Sequence, residues 1–303
     1  MELLNKIRIY VAARWDMIRN YYNESRLFKA VAGGVGILTI GALLLHFFFA
    51  GESVADVPLT GSFATHRGEH RCHRLPDGSE ACLNTNSQIN YTFNRSTRNI
   101  QLAAGEASFV VRNDQRPFDV VSRSVLIHDL STSFEVYQKR HSTQVTVLQG
   151  RVKVIAPIND ETRSKFDLAE AESAWQGGLE IHKFQQVEFD EAGQTLHVRP
   201  PLNEQRLSQL LAWQRGRIDL NGRTMGEALE EFSRYQPISK FNYTDPSIRA
   251  LRVGGNLEFA HLDDFLAAIE HEFHIHHTIT GSEGSAVVSL SRERGAGNHS
   301  TRH

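Results

Sequence analysis

Neither sign of charge is in surplus in this sequence, and the motifs of common enzyme active sites are missing from it. Lysine and arginine together number 33, against 35 aspartates and glutamates. A protein that neutralises nucleic-acid phosphates needs a basic surplus, so this balance argues against a nucleic-acid binder. The G-x-S-x-G elbow, the Walker loop, the dinucleotide fingerprint and the H-E-x-x-H zinc motif are all absent. We therefore predict that the chain is not an enzyme and carries no cofactor.

Histidines come nearest to forming a metal site. His271 and His274 have two residues between them, whereas H-E-x-x-H has one more. His276 and His277 follow on a predicted strand, but neither a carboxylate nor a cysteine completes a convincing shell. We predict no metal site. A metal-dependent enzyme built on these histidines stays as an alternative, which a metal-content assay would exclude.

Cysteine is scarce, since Cys72 and Cys82 are the only two. Between them, residues 75–79 read L-P-D-G-S, which places proline, aspartate and glycine in the order of a type I turn followed by a left-handed residue. If residues 76–78 form the hairpin loop, Leu75 pairs with Ser79, and pairing the residues outward from there along the two strands places Cys72 opposite Cys82. Cross-strand neighbours lie close enough for a disulfide in an oxidising compartment. Free or metal-binding thiols are the alternative, although C-x-x-C spacing is absent.

One long apolar segment determines the predicted topology. Residues 30–50 are apolar apart from Thr39 and His46, and as a helix they would span about 30 Å, the hydrocarbon thickness of a bilayer. Six lysines and arginines but only three acidic residues precede the segment. By the positive-inside rule we predict a single-pass inner-membrane protein, with residues 1–29 in the cytoplasm and the rest in the periplasm. A signal peptide cleaved at residues 53–55 is the alternative, but the apolar segment is long for one.

Residues 1–29 carry an apolar stripe with helical spacing. Its members recur at steps of three and four, and they are Leu4, Ile7, Val11, Trp15, Ile18 and Tyr22. Such an amphipathic helix either rests on the inner leaflet, with its arginines toward anionic headgroups, or docks a cytoplasmic protein. For docking, the candidate contact residues are Trp15, Arg14 and Arg19.

The pattern changes to short alternating strands, punctuated by glycines, over residues 51–200. This segment is predicted to be an all-β periplasmic domain, whose fold is a sandwich, a barrel or a β-helix-like stack. A short helix is predicted to follow over residues 204–213.

Helical patterns dominate residues 201–294, where a strand-helix-strand unit occurs twice. The helices are predicted over residues 224–235, which begin with a T-x-x-E capping box, and over residues 262–272. This part is therefore predicted to be a small α+β domain with tandem βαβ units. Residues 295–303 are predicted to be a disordered tail.

Several blocks of the β region, taken in order, resemble the FecR family of transmembrane sigma-factor regulators. The blocks are Gly61, residues 75–79 (LPDGS), 83–87 (LNTNS), 98–111 (RNIQLAAGEASFVV), 116–120 (RPFDV), 132–136 (TSFEV) and 147–154 (VLQGRVKV). Residues 213–292 look similar to the family's C-terminal part, which resembles the short N-terminal domain of secretins and TonB-dependent receptors.

The resemblance implies a division of labour across the membrane. In such proteins the periplasmic part senses the N-terminal signalling domain of a TonB-dependent outer-membrane receptor. The cytoplasmic part holds or activates an extracytoplasmic-function (ECF) sigma factor, and an intramembrane protease often links the two. We expect strand edges of the α+β domain to bind the periplasmic partner, with Leu251, Val253 and Leu257 as contact residues.

The cytoplasmic segment, residues 1–29, is shorter than the family's usual anti-sigma domain. This difference leaves a second hypothesis open, in which the chain is a membrane-anchored periplasmic binding or scaffold protein without sigma-factor control. A neighbouring sigma-factor gene would favour the first hypothesis and its absence the second.

Overall fold

The computed structural model describes residues 12–20, 57–129, 132–157, 178–282 and 285–292. The chain divides into two units, Met1–Asp56 and Val57–His303. Within the first unit, residues 12–20 are helical and their side chains are exposed.

The predicted membrane anchor, residues 30–50, lies outside the described residues. The same is true of the alternative cleavage site at residues 53–55 and of the predicted tail, residues 295–303. Within the part of the chain that is described, no helix combines the length and the apolar character needed to cross a membrane.

Short strands with alternating burial make up the first part of the second unit. In β11, for example, Val152 and Val154 are buried while Arg151 and Lys153 between and beside them are not, as expected when one face of a strand lies on a core. The strands are β1 (Leu59–Ala64), β2 (Arg71–Arg74), β3 (Glu80–Leu83), β4 (Gln88–Phe93), β5 (Arg98–Ala104), β6 (Glu106–Val110), β7 (Phe118–Ser122), β8 (Val125–Asp129), β9 (Ser133–Gln138), β10 (Ser142–Gln149), β11 (Arg151–Ile155), β12 (Leu179–His182), β13 (Gln186–Asp190) and β14 (Thr195–Arg199).

These strands form two sheets of seven, and the chain passes repeatedly from one to the other. The first sheet has the order β1-β4-β5-β7-β8-β11-β12 and the second β14-β13-β10-β9-β6-β3-β2. Buried apolar side chains of both sheets form one core. Phe109 of the second sheet and Phe118 of the first have ring centroids 5.9 Å apart. Of the three predicted alternatives, the β region is therefore the sandwich.

The hairpin between β2 and β3 has the predicted turn and register. Leu75 N donates to Ser79 O at 2.8 Å, and Gly78 has φ 86°, which a residue with a Cβ adopts only at a cost. Cys72 pairs with Cys82 across the two strands, and their sulfurs form the expected disulfide.

Helices return after β14, as the sequence predicts. They are α1 (Glu204–Leu211), α2 (Met225–Tyr235) and α3 (Leu262–Phe273). Thr224 and Glu227 form the predicted capping box at the start of α2. The prediction of one helix over residues 204–213 is wrong at its end, because α1 passes at Ala212 into a 3-10 turn that Gly216 closes in the left-handed conformation.

The strands around these helices form three small sheets. They are β15 (Arg217–Asp219), β16 (Arg223–Thr224), β17 (Ile238–Tyr243), β18 (Arg252–Val253), β19 (Asn256–Glu258), β20 (Ile275–Thr280) and β21 (Ala286–Arg292). Strand β15 pairs with β19, β16 with β18, and the third sheet has the order β17-β21-β20. Phe232 of α2 stacks on Phe265 of α3, with ring centroids 5.1 Å apart, so the two strand-helix-strand units share one core.

Candidate functional site

The aspartate of the L-P-D-G-S block binds a buried arginine inside the sandwich. Asp77 Oδ2 accepts from Arg98 Nη1 at 2.8 Å, and the two side chains are 0% and 3% exposed. Arg98 also donates to the backbone oxygens of Arg112 and Arg116. Buried charges need such complete pairing, so this part of the signature serves the sandwich itself.

Other signature residues reach out of the sandwich to the α+β domain. The buried and half-buried polar side chains where the two domains meet are here called the interdomain cluster, and they are Asn84, Glu106, Glu135, Tyr137, Trp213, Arg234 and Tyr235. The sandwich members follow β3 or lie on β6 and β9, on the face opposite the core, because side chains alternate along a strand. The others lie on the 3-10 turn after α1 and at the end of α2.

Asn84 joins the two domains directly. Its Nδ2 donates to Glu106 Oε2 at 2.7 Å and to the Tyr235 hydroxyl at 3.0 Å. Burial raises the pKa of Tyr235, so its hydroxyl stays neutral. In addition, Thr85 Oγ1 donates to Arg234 O at 3.2 Å. Two residues of the LNTNS block, Asn84 and Thr85, thus form hydrogen bonds with the last turn of α2.

Arg234 is the charged centre of the interdomain cluster. Its guanidinium contacts the Glu106 carboxylate of the sandwich and lies 2.8 Å from Glu231 one turn earlier in α2. It also lies 4.3 Å from the centre of the Tyr137 ring, a cation–π distance. Burial opposes its charge, but Glu106 and Glu231 outweigh that effect and raise the pKa of Arg234. Arg234 is therefore charged at neutral pH.

Glu135 lies on β9 beside these charges and is 1% exposed. Its Oε2 accepts from Trp213 Nε1 at 3.2 Å, while no donor among the described residues faces Oε1. Burial, and next the neighbouring Glu106 carboxylate, raise the pKa of Glu135. A proton on Oε1 explains both facts, because the protonated oxygen can donate to Glu106.

Replacing Glu135 with glutamine is expected to remove one pH dependence from folding. Because the pKa of Glu135 is higher in the folded than in the unfolded chain, its contribution to stability is complete at low pH and is lost as the pH rises through the folded pKa. Glutamine keeps an oxygen for the Trp213 indole and cannot ionise. Urea unfolding of both proteins across the pH range measures the effect: Glu135→Gln gains stability over the wild type as the pH rises.

The exposed Glu230 supplies the control for this measurement. Glu230→Gln, at a side chain that is 64% exposed, should follow the wild type at every pH. A constant difference between Glu135→Gln and the wild type would contradict a shared proton at this position.

An apolar contact lies beside the interdomain cluster. Cys82 projects from the sandwich into the core of the α+β domain. Tyr235 stacks on Phe259 with ring centroids 4.3 Å apart, and His70 of the sandwich meets the other domain's Phe259 edge-on at 5.5 Å. The hairpin that carries the disulfide is therefore part of the domain interface.

The predicted cytoplasmic contact residues are exposed in the structure. Arg14, Trp15 and Arg19 lie on the helix over residues 12–20, and Trp15 is 67% exposed and Ile18 48%. These side chains are accessible for a partner.

The residues predicted to contact a periplasmic partner, Leu251, Val253 and Leu257, do not form one exposed edge. Val253 is buried in the α+β core, and Leu251 and Leu257 pack partly against the same core. Strands β18 and β19 are only two and three residues long, and each pairs with a different short strand. An added strand would therefore find few backbone groups here.

A longer open edge lies on β17, which sequence reasoning missed. This strand has six residues and ends its three-stranded sheet within the described part of the chain. A groove of 340 Å³ runs beside it, and its lining includes Ile238, Phe241 and Tyr243 of β17 with Glu230 and Ser233 of α2. The rest of the lining is polar or charged, with Ser239, Lys240 and Arg249. An unpaired edge beside a groove is the geometry that strand addition uses.

The histidines considered for a metal site do not come together as a ligand set. Among the described residues, the one group of three ligating side chains is Cys72, Glu80 and Cys82, and its two sulfurs are joined in the disulfide. His277 Nδ1 instead lies 2.9 Å from Glu270 Oε1, near the end of α3.

The structure thus defines an all-β sandwich docked on a small α+β domain. Residues 62–153 match the family model described as FecR protein, so the chain contains a FecR domain, and the resemblance seen in the sequence is confirmed there. Two crystal structures of a "putative anti-sigma factor" from Parabacteroides distasonis align with TM-scores of 0.55 at 22% identity, covering 76% and 77% of this chain and 99% of theirs. At this identity the likeness shows a shared fold. We find no curated protein that matches the chain.

Proposed function

We propose that this chain is a single-pass inner-membrane regulator of an ECF sigma factor, which receives a protein signal in the periplasm and relays it inward. The observation that carries the proposal is the FecR domain over residues 62–153, whose own signature residues Asn84 and Glu106 hold the α+β domain. Buried polar networks have few alternative arrangements, so a displacement of one domain shifts the other.

The α+β domain is the part that receives the periplasmic partner. The partner proposed is the signalling domain of a TonB-dependent receptor, which adds a strand to the open edge of β17. Binding there reaches α2 directly, because the groove is lined by Glu230 and Ser233 of that helix. Arg234 follows Ser233 in the chain, so a shift of α2 moves the centre of the interdomain cluster.

The helix over residues 12–20 is the part that contacts the sigma factor in the cytoplasm. Replacing Trp15 and Ile18 together with alanine is expected to abolish capture of a sigma factor, because both apolar side chains are exposed and aromatic side chains commonly carry a large share of binding energy. The measurement is a pull-down from native membranes with the full chain, compared with a chain lacking residues 1–29.

Met17 provides a matched control, because it is 71% exposed and lies off the apolar stripe. Met17→Ala should recover the sigma factor as the wild type does. Equal recovery by the Trp15/Ile18 double variant would count against sigma-factor control. Recovery of envelope proteins alone, both with and without residues 1–29, would instead favour a periplasmic binding or scaffold protein, for which the groove beside β17 is suited.

A further inference from the structure

A crevice of 170 Å³ opens beside the interdomain cluster, between the second sheet of the sandwich and the α+β domain. Its walls include Gln144 of β10 on one side and Arg206 of α1 and Arg217 of β15 on the other. The volume is several times the roughly 30 Å³ that one water molecule occupies in the liquid. The crevice therefore has room for a small polyatomic ligand.

Positive charge exceeds negative charge along these walls. The lining cations are Lys139, Arg206, Arg217, Arg223 and Arg234, and the lining carboxylates are Glu106 and Glu231. Both carboxylates contact Arg234, and Glu231 also lies 3.4 Å from Arg223. Lys139 binds Glu188 at 3.1 Å. Internal pairing thus accounts for three of the five cations.

The other two guanidinium groups, Arg206 and Arg217, form no close ion pair among the described residues, although the charge of Glu227 is felt electrostatically at Arg206 and Glu258 is the cross-strand neighbour of Arg217. Arg206 donates to Gln209 Oε1 at 3.1 Å, and Arg217 donates to the side-chain and backbone oxygens of Asn256. Each guanidinium carries five N–H donors, so both keep donors available. On the facing wall, the Gln144 amide makes no hydrogen bond within the described part of the chain.

We propose that this crevice binds a small oxyanion with two or more negative charges, held by Arg206 and Arg217 and by the Gln144 amide. The planar donors of arginine match the oxygens of carboxylate and phosphate groups. The ligand contacts both domains, so it stabilises their docked arrangement by mass action. This site is separate from the partner-binding edge at β17, and it does not depend on the proposed function.

Calorimetric titration of the full chain in detergent micelles tests the site. Inorganic phosphate and citrate are the two probes, each measured against sodium chloride at matched ionic strength. We expect saturable binding of one ion per chain and a rise in the unfolding temperature for at least one of them. The probe that binds more tightly tells whether the natural ligand is of the phosphate or the polycarboxylate kind.

Three variants decide whether the binding belongs to the crevice. Arg206→Gln and Arg217→Gln should each weaken it by about tenfold, since each removes charge-assisted hydrogen bonds to the anion. Arg215→Gln should bind as the wild type, because Arg215 is exposed on the turn between them and does not line the crevice. If Arg217→Gln fails to fold, Arg206→Gln decides alone, because Arg206 is exposed. No effect beyond that of sodium chloride, or undiminished binding by the Arg206 variant, would overturn the proposal.

Discussion

Replacing Arg234 with methionine is expected to destabilise the protein by about 3–5 kcal/mol, the usual cost of removing one partner from a buried ion pair. The change leaves Glu106, whose side chain is 5% exposed, without its counter-charge and beside Glu135. Methionine keeps most of the apolar stem against Tyr137. The loss of stability therefore measures the effect of the missing charge rather than that of a cavity. Urea unfolding followed by circular dichroism measures the effect.

A surface arginine in the same domain provides the comparison. Arg249 binds Glu230 at 2.8 Å, and the two side chains are 63% and 64% exposed. Because exposed ion pairs contribute little, Arg249→Met should change the free energy of unfolding by less than about 1 kcal/mol. Similar losses for the two variants would mean that the interdomain cluster does not hold the domains together.

The features predictable from sequence are those that depend on neighbouring residues. The turn at residues 75–79 sets the pairing of Cys72 with Cys82, because a hairpin register follows from its loop. The start of α2 follows in the same way, since Thr224 and Glu227 are three positions apart and cap each other.

The candidate site itself depends on contacts that a local pattern does not contain. Glu106 and Arg234 are 128 positions apart, and nothing in either segment indicates the other. Asn84 and Glu106 belong to the blocks that resemble the FecR family, but the resemblance did not predict that they contact α2. Glu135, between Phe134 and Val136, fits the ordinary alternation of a strand with one solvated face, so its burial against the second domain has no local signal.

The strand edge predicted for partner binding over residues 251–259 has a different form in the structure, for a related reason. Alternation of apolar and polar residues over residues 251–259 indicates strands, yet it does not tell how long they are or which neighbour covers them. The structure divides this segment into β18 and β19, and it buries Val253. The open edge of β17 depends on its parallel pairing with β21, which brings together segments more than forty positions apart.

Removing the disulfide, by Cys72→Ala with Cys82→Ala, is expected to lower the free energy of unfolding by about 2–3 kcal/mol. The two cysteines are 10 positions apart. Closing a loop of this length lowers the conformational entropy of the unfolded chain, which is equivalent to about 2–3 kcal/mol of stability. The double variant also loses the sulfur of Cys82 from the α+β core, so the domain interface weakens with the hairpin. Urea unfolding of the variant and the wild type gives the difference.

A reducing agent separates the bond from the side chains. The wild type should lose stability when dithiothreitol is added, whereas the double alanine variant should not respond, since its cysteines are gone. A wild type whose unfolding midpoint is the same with and without the reductant would mean that the bond does not stabilise the fold. If the bond does form and stabilise the protein, chains made in a reducing compartment should unfold at lower urea than chains recovered from an oxidising one. That comparison tests whether the fold draws stability from an oxidising compartment, which is what the predicted periplasmic location would provide.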